Sequence, residues 1–188
     1  MSNSIAKFFR PNAVEGAPML YTLELHQDDP TKCTSAKMRR KGFSRQIRLA
    51  QISRDSLVLN PFADETLLRS DCSIASRHGL VVIDCSWVKA SDVFKWRIKG
   101  VQRRLPVLLA GNPTNYSKLS SLSSIEAMAA SLYIMGFFEA ARRLLALYKW
   151  GTTFLTLNRE PLNEYTNANS FQQIKEIEHS YFPQAFNP

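Results

Sequence analysis

Hydrophobic and polar positions follow two regimes along this chain. In the first, apolar residues come in short runs bounded by turn formers: Met19–Leu25, Leu57–Leu59, Leu80–Ile83 and Val107–Gly111. Runs this short predict strands. Leu80-Val-Val-Ile83 is unbroken rather than alternating, which suits a strand covered on both faces. His26-Gln-Asp-Asp-Pro30 makes a turn after the first run, Asn60-Pro61 stops the second, and Asn112-Pro-Thr-Asn-Tyr116 ends the last. Between them, Ser35–Gln46 predicts a short basic helix broken at Gly42, and Asp71–Arg77 a second short helix. Residues 1–18 carry Pro11, Gly16 and Pro18 without periodicity and read as a flexible tail.

From Ser123 the spacing becomes helical. Ser123-Ser-Ile-Glu126 has the form of a capping box, in which the hydroxyl and the carboxylate satisfy each other's backbone amides. Ile125, Met128, Ala129 and Leu132 then recur on one face. Gly136 divides this helix from a second over Phe137–Lys149, with Phe138, Ala141, Leu145 and Tyr148 as its stripe. Trp150-Gly151 reads as a glycine stop. A further helical stretch starts at Thr152, Pro161 opens a fresh turn, and Asn169-Ser170 caps a last helix carrying Phe171, Ile174 and Ile177. The expectation is an α/β chain: strands mixed with short helices, followed by a helical C-terminal third.

A length of 188 residues allows one domain or two small ones, and 45% hydrophobic residues is ordinary for a globular chain. No apolar run reaches membrane-spanning length, and the first residues lack a signal-peptide core. Cys33, Cys72 and Cys85 are odd in number and form no Cys-x-x-Cys pair, which argues against a disulfide framework or a zinc knuckle. His26, His78 and His179 are scattered. These features predict an intracellular, metal-free protein. The net charge of +8 changes the picture more. From Lys32 to Arg54 there are eight Lys or Arg residues and no acid, and a second basic cluster runs through Lys95, Arg97, Lys99, Arg103 and Arg104. Such clusters attract phosphate backbones. Neither run presents the apolar, aromatic-anchored face that a membrane surface would need.

The chain has no Gly-x-Gly-x-x-Gly, no phosphate-binding Gly-Lys-Ser/Thr loop and no Gly-x-Ser-x-Gly elbow. What remains is the polar punctuation at three strand ends: Asn60-Pro61, Asp84-Cys-Ser-Trp87 and Asn112–Tyr116. In a parallel sheet these ends can converge on the edge where α/β ligands bind. One carboxylate, one indole, apolar walls and backbone groups suit an adenine-containing ligand. The competing reading makes Asp84 a cap for the next helix and Trp87 core filling.

Eight segments, in order, are similar to one known family. They are Asp29-Pro-Thr-Lys-Cys-Thr34, Leu57-Val-Leu-Asn-Pro61, Val82-Ile-Asp-Cys-Ser-Trp87, Arg104-Leu-Pro106, Ala110-Gly-Asn-Pro-Thr-Asn-Tyr116, Leu122-Ser-Ser-Ile-Glu-Ala127, Leu132-Tyr-Ile134 and Lys149-Trp-Gly151. Together they resemble the small-subunit ribosomal RNA aminocarboxypropyltransferases. The resemblance implies a fold like the knotted SPOUT methyltransferases, with S-adenosylmethionine at the knot. It implies an N-terminal α/β domain over 19–104 with a basic, RNA-facing surface, and a knotted, helical domain over 105–188 completing the cofactor site. By the same resemblance Leu59, Pro61, Trp87, Ala90 and Leu122 wall the adenine and the sulfonium methyl. Backbone groups of Ile83, Leu105 and Ser120 hold ribose and base, while Thr34 and Ser124 contact the amino-acid end. Lys32, Lys37 and Arg103 match RNA-contacting positions. Ser117, Thr152 and Pro161 depart from the family, standing where Gly, His and Leu are frequent.

The implied reaction moves the 3-amino-3-carboxypropyl group to the ring imide nitrogen of a uridine or (methyl-)pseudouridine in small-subunit rRNA and leaves 5′-methylthioadenosine. Asp84 is the candidate either to take the imide proton or to anchor the cofactor's amino group. No metal is required, because the sulfonium is already activated. The implied partners are small-subunit rRNA and its precursor particle, met by a monomer in the cytoplasm or the nucleus. The alternatives are a methyltransferase of the same knotted class, a ribosome-assembly factor without turnover, and a plain RNA-binding module.

Overall fold

Leu80–Asp84 (β4) is the central strand of a five-stranded parallel sheet. The computed structural model describes residues 14–25 and 33–186. The other strands are Leu20–Glu24 (β1), Arg45–Gln46 (β2), Leu57–Leu59 (β3) and Val101–Arg103 (β5), in the order β2-β1-β4-β3-β5. Leu20 pairs with Leu80 and Glu24 with Asp84, so β1 and β4 run in register to their carboxyl ends. The unbroken apolar run of β4 has the expected cause. Leu80 and Val82 turn to one face, into a cluster with Leu57 and Leu59. Val81 and Ile83 turn to the other, with Leu23, Val58, Val93 and Ile98.

Eight helices are described: Thr34–Arg40 (α1), Cys72–His78 (α2), Ala90–Val93 (α3), Ser124–Ile134 (α4), Phe138–Leu145 (α5), Gly151–Leu157 (α6), Arg159–Asn167 (α7) and Phe171–Tyr181 (α8). The cluster on the first face joins Leu20, Leu57 and Leu80 to Ile125, Leu144, Phe154 and Ile174, so the helical third packs onto the sheet. Gly79 shows why glycine separates α2 from β4. Its φ is +84°, and a Cβ there would run into the Tyr21 ring at 2.5 Å.

Three expectations about elements need correction. Val107–Gly111 is not a strand. Side chains satisfy part of its backbone: the Val107 amide donates to Glu178, the Val107 carbonyl accepts from the Tyr165 hydroxyl, and Asn158 bonds both the amide and the carbonyl of Leu109. Leu108 and Ala110 bond the backbone of Ser117, Lys118 and Ser120 in the loop that follows, so the segment makes one isolated antiparallel bridge, Leu109 to Leu119, and does not join the sheet. The strand in that region is β5, whose Gln102 and Arg103 hid it inside a basic cluster. Arg45–Gln46 is likewise a strand rather than a helix end, because Gly42, at φ +72°, turns the chain after α1. Finally, Gly151 opens α6 instead of closing α5. A Cβ there would overlap the Leu145 carbonyl, so glycine is needed for close approach rather than as a stop. The turn over His26–Pro30, Lys32 and the first thirteen residues of the tail lie outside the described residues.

Ser117, the departure from the family's frequent glycine, has φ +62° and an exposed side chain. A non-glycine residue in this region is strained by about 1–2 kcal/mol. Ser117→Gly should therefore raise stability, by about 0.5–1 kcal/mol after the larger entropy of an unfolded glycine is subtracted. Urea denaturation would register it as a higher midpoint at constant slope.

Candidate active site

The carboxyl ends of β3 and β4 open onto a cleft of about 180 Å³ with predominantly apolar walls. Leu59 and Pro61 form one wall where β3 stops. Ile83, Trp87 and Ala90 follow β4 and form another, with Ala90 buried at 3% exposure and Trp87 at 45%. Leu105 comes from the segment after β5, and Ser120, Leu122 and Ser124 come from the run entering α4. The third edge of the cleft thus belongs to residues 104–107, not to Asn112–Tyr116. The Trp87 indole is fixed: its Nε1 donates to the Leu122 carbonyl at 3.0 Å, tying two walls together.

Asp84 does not cap a helix. Its carboxylate sits behind the cleft, where Oδ1 accepts from the Ser124 hydroxyl and Oδ2 from the Cys33 thiol at 3.1 Å. Thr34 stands beside this group, its hydroxyl accepting the Ile125 amide of α4 at 3.3 Å. The predicted amino-acid-end residues Thr34 and Ser124 thus gather with Asp84 at the N-termini of α1 and α4. Burial pushes the Cys33 thiol above its ordinary range. Ser35 and the Ala36 amide pull it back, and Asp84 raises it again. Tyr148 is raised chiefly by burial, then by Cys33, with Arg40 opposing and Asp84 adding. The Lys37 ammonium lies 3.8 Å over the Tyr148 ring.

Two buried carboxylates hold the loops that line the cleft. Glu126, fully buried on α4, accepts the Gly111 amide at 2.7 Å, the Asn112 amide at 2.9 Å and the Asn112 side chain at 2.7 Å. It also takes the Ser123 amide and hydroxyl at 2.8 and 2.6 Å, so the capping box is half of a larger clamp. Glu178, 1% exposed on α8, accepts from Arg104 at 2.9 and 3.4 Å and from the Val107 amide at 2.9 Å. Burial first, and Glu178 next, push the Tyr165 phenol far above its usual value, keeping it a neutral donor to the Val107 carbonyl.

The predicted RNA-contacting residues do not lie together in the cleft. Lys32 is outside the described residues, and Lys37 is half-buried against Tyr148. Arg103 is committed inside the fold. Its guanidinium pairs with Glu65 at 2.5 Å and Asp71 at 3.2 Å, with 15% of the side chain exposed. Arg39, from the first basic run, pairs with the buried Glu24. Arg40, Arg48 and Arg54 stay exposed. Sequence reasoning missed Phe94 and Ala127 as lining residues, and Cys33 and Glu178 as supports. Cys33 and Ala127 had a signal, their places in the Asp29–Thr34 and Leu122–Ala127 segments. No helix among the described residues is long and apolar enough to cross a membrane.

Comparison with known proteins agrees with this geometry. The family model described as "Ribosome biogenesis protein, C-terminal" matches residues 57–182. A 16S rRNA aminocarboxypropyltransferase of Thermoplasma volcanium is 44% identical over 163 residues, covering 87% of this chain and 98% of the relative. That of Thermoplasma acidophilum is 48% identical with the same coverage. Among solved structures, the SAM-dependent rRNA:acp-transferase Tsr3 from Vulcanisaeta distributa superposes with a TM-score of 0.80 at 41% identity, covering 86% of this chain and 89% of that one. The α/β architecture with its parallel sheet is therefore shared with that structure. The chain belongs to the ribosome biogenesis proteins that this model describes and, among them, to the 16S rRNA aminocarboxypropyltransferase family.

Proposed function

We propose that this protein transfers the 3-amino-3-carboxypropyl group of S-adenosylmethionine to the ring imide nitrogen of a uridine or (methyl-)pseudouridine in small-subunit rRNA. In that reaction a nitrogen–carbon bond forms, the imide proton leaves to solvent, and the carbon–sulfur bond breaks with its electron pair going to sulfur, which leaves as 5′-methylthioadenosine. The observation that carries the reading is the two-part chemistry of the cleft. Its walls are apolar and suit a nucleoside, and one end passes to a cluster of hydroxyls and a carboxylate that suits a zwitterionic tail. The reading includes the knotted chain course of its class, a monomeric state and action on small-subunit particles in the cytoplasm.

The sulfonium offers three electrophilic carbons, and orientation decides which one reacts, an effect that can supply about 7–11 kcal/mol at best. In this chain Trp87 and Ala90 are the residues to cover the methyl, since the indole is pinned to Leu122 and Ala90 closes the floor. Leu59, Pro61 and Leu122 wall the adenine, with backbone groups of Ile83, Leu105 and Ser120 for ribose and base. Thr34, Ser124 and Asp84 receive the amino-acid arm. Of the two roles open to Asp84 we take the anchor. A carboxylate fixed on both oxygens by neutral donors is well placed to hold an ammonium. Lys37 and the exposed arginines of 40–54 face the rRNA, while Arg103, on the opposite edge of the sheet, supports the fold through Glu65 and Asp71.

The decisive experiment supplies small subunits with cofactor labelled either in the carboxyl carbon or in the methyl. Label in rRNA from the carboxyl carbon alone supports transfer of the long arm. Label from the methyl alone makes the protein a methyltransferase, and no label from either makes it an assembly factor. The anchor role has its own measurement. Asp84→Asn should weaken S-adenosylmethionine binding by on the order of 10- to 100-fold, the worth of one charge-assisted hydrogen bond. 5′-Methylthioadenosine, which lacks the arm, should bind unchanged by calorimetry. Lost turnover with full cofactor affinity would instead make Asp84 the base.

A further inference from the structure

We infer that Cys33 is a positioning residue for the Asp84 carboxylate. Its thiol holds one carboxylate oxygen while Ser124 holds the other, so that the group presents its remaining lone pairs in a fixed direction. The inference rests on the anchor reading of Asp84 given above.

Four side chains from three separate elements carry it. Asp84 ends β4, Cys33 and Ser35 begin α1, and Ser124 begins α4. The thiol donates to Asp84 Oδ2 at 3.1 Å and accepts the Ala36 amide at 3.3 Å. It also lies 3.0 Å from the Ser35 hydroxyl, which is fully buried. Cysteine is not among the preferred N-cap residues. An N-cap here must do two things at once: receive the helix amide behind it and reach a carboxylate on a strand 51 positions away. Sulfur, with its longer bond to Cβ and larger radius, spans both.

The protonation state agrees with the geometry. A thiol at a helix start beside cations is ordinarily pushed toward thiolate. Here burial and Asp84 act in the opposite sense, and they outweigh Ser35 and the Ala36 amide. Among the described residues Tyr148, after α5, also feels this group: its phenol is raised in part by Cys33 and Asp84, with Arg40 opposing and Lys37 over its ring. The thiol is therefore a neutral S–H at physiological pH, and its one strong acceptor is Asp84.

The test compares two ligands, one with the arm and its sulfonium charge and one with neither. Cys33→Ala should weaken S-adenosylmethionine binding about tenfold, the scale of one hydrogen bond to a charged group. Binding of 5′-methylthioadenosine should not change. Cys33→Ser, which keeps a donor and a cap, should restore S-adenosylmethionine affinity to within about threefold of the parent, allowing for its shorter reach. Equal weakening of both ligands would reduce Cys33 to a helix cap, and no weakening of either would remove it from the site; both outcomes overturn the inference. A second measurement does not depend on how Cys33→Ala folds. In infrared spectra one S–H stretching band, absent in Cys33→Ser, should shift when Asp84→Asn is introduced into the otherwise native chain. A band that stays in place also overturns the inference. If the native protein holds S-adenosylmethionine no more tightly than 5′-methylthioadenosine, the anchor reading of Asp84 itself falls, a result separate from any difference between the Cys33 variants.

Discussion

Glu126→Ala should lower the stability of the chain by about 3–5 kcal/mol, read from urea unfolding, a large part of the roughly 5–15 kcal/mol available to a domain. The carboxylate is the shared acceptor for five donors, and three of them, the Gly111 amide and both donors of Asn112, are buried with it. Each buried donor left without a partner costs about 1–3 kcal/mol. Relief from burying a charge and entry of water offset part of the sum. Glu126→Gln keeps the volume but turns an NH₂ group against donors, so it should lose about 2 kcal/mol or more. The consequence reaches the cleft. Ser123 and Ser124 begin α4 at its edge, and Ser124 is the hydroxyl that holds Asp84. Cofactor affinity should therefore fall at denaturant concentrations where the fold is still intact. An affinity unchanged in a destabilised Glu126→Gln protein would mean that the loop and the site are uncoupled.

The capping box at Ser123–Glu126 was readable because its partners are three residues apart. The other half of the clamp, Gly111 and Asn112, lies 15 and 14 positions away and left no local pattern. The same division runs through the whole chain. β1, β3 and β4 and helices α4, α5 and α8 follow from periodicity, because burial on a sheet face or a helix face writes itself into spacing. Val107–Gly111 has the composition of a strand, yet beyond a short bridge to the loop at 117–120 its hydrogen bonds go to Asn158, Tyr165 and Glu178, residues no window around it contains. β5 has the composition of a basic loop, yet it completes the sheet beside β3. In the site, Asp84 and Trp87 stood out as polar and aromatic residues at a strand end. That Asp84 would face Cys33 and Ser124, and that Arg103 would pair with Glu65 and Asp71, depend on chain crossings that spacing does not encode. Order-preserving similarity to a family supplied what periodicity could not.

Glu178→Ala carries the second large effect, and it acts from the far end of the chain. α8 reaches back across 71 positions to take the Val107 amide and across 74 to take Arg104. Arg104 and Val107 both line the cleft together with Leu105, so the last helix helps to shape the cofactor site. Removing the carboxylate leaves a guanidinium that is only 24% exposed and a backbone amide without an acceptor. Breaking a buried pair from one side costs about 3–5 kcal/mol, and the partial exposure of Arg104 lowers that to about 2–4. Tyr165 should report the change as well, because Glu178 is one of the groups that hold its phenol neutral. The double variant Arg104→Met with Glu178→Leu distinguishes a stabilising pair from a positioning one. Apolar replacement of both partners is often neutral for stability, so the double variant should recover the part of the lost unfolding free energy that belongs to the ion pair, leaving the cost of the unpartnered Val107 amide. Cofactor affinity should remain reduced, because the Val107 amide still lacks the acceptor that sets the course of residues 104–107. Recovery of both together would mean that packing alone shapes this edge of the cleft.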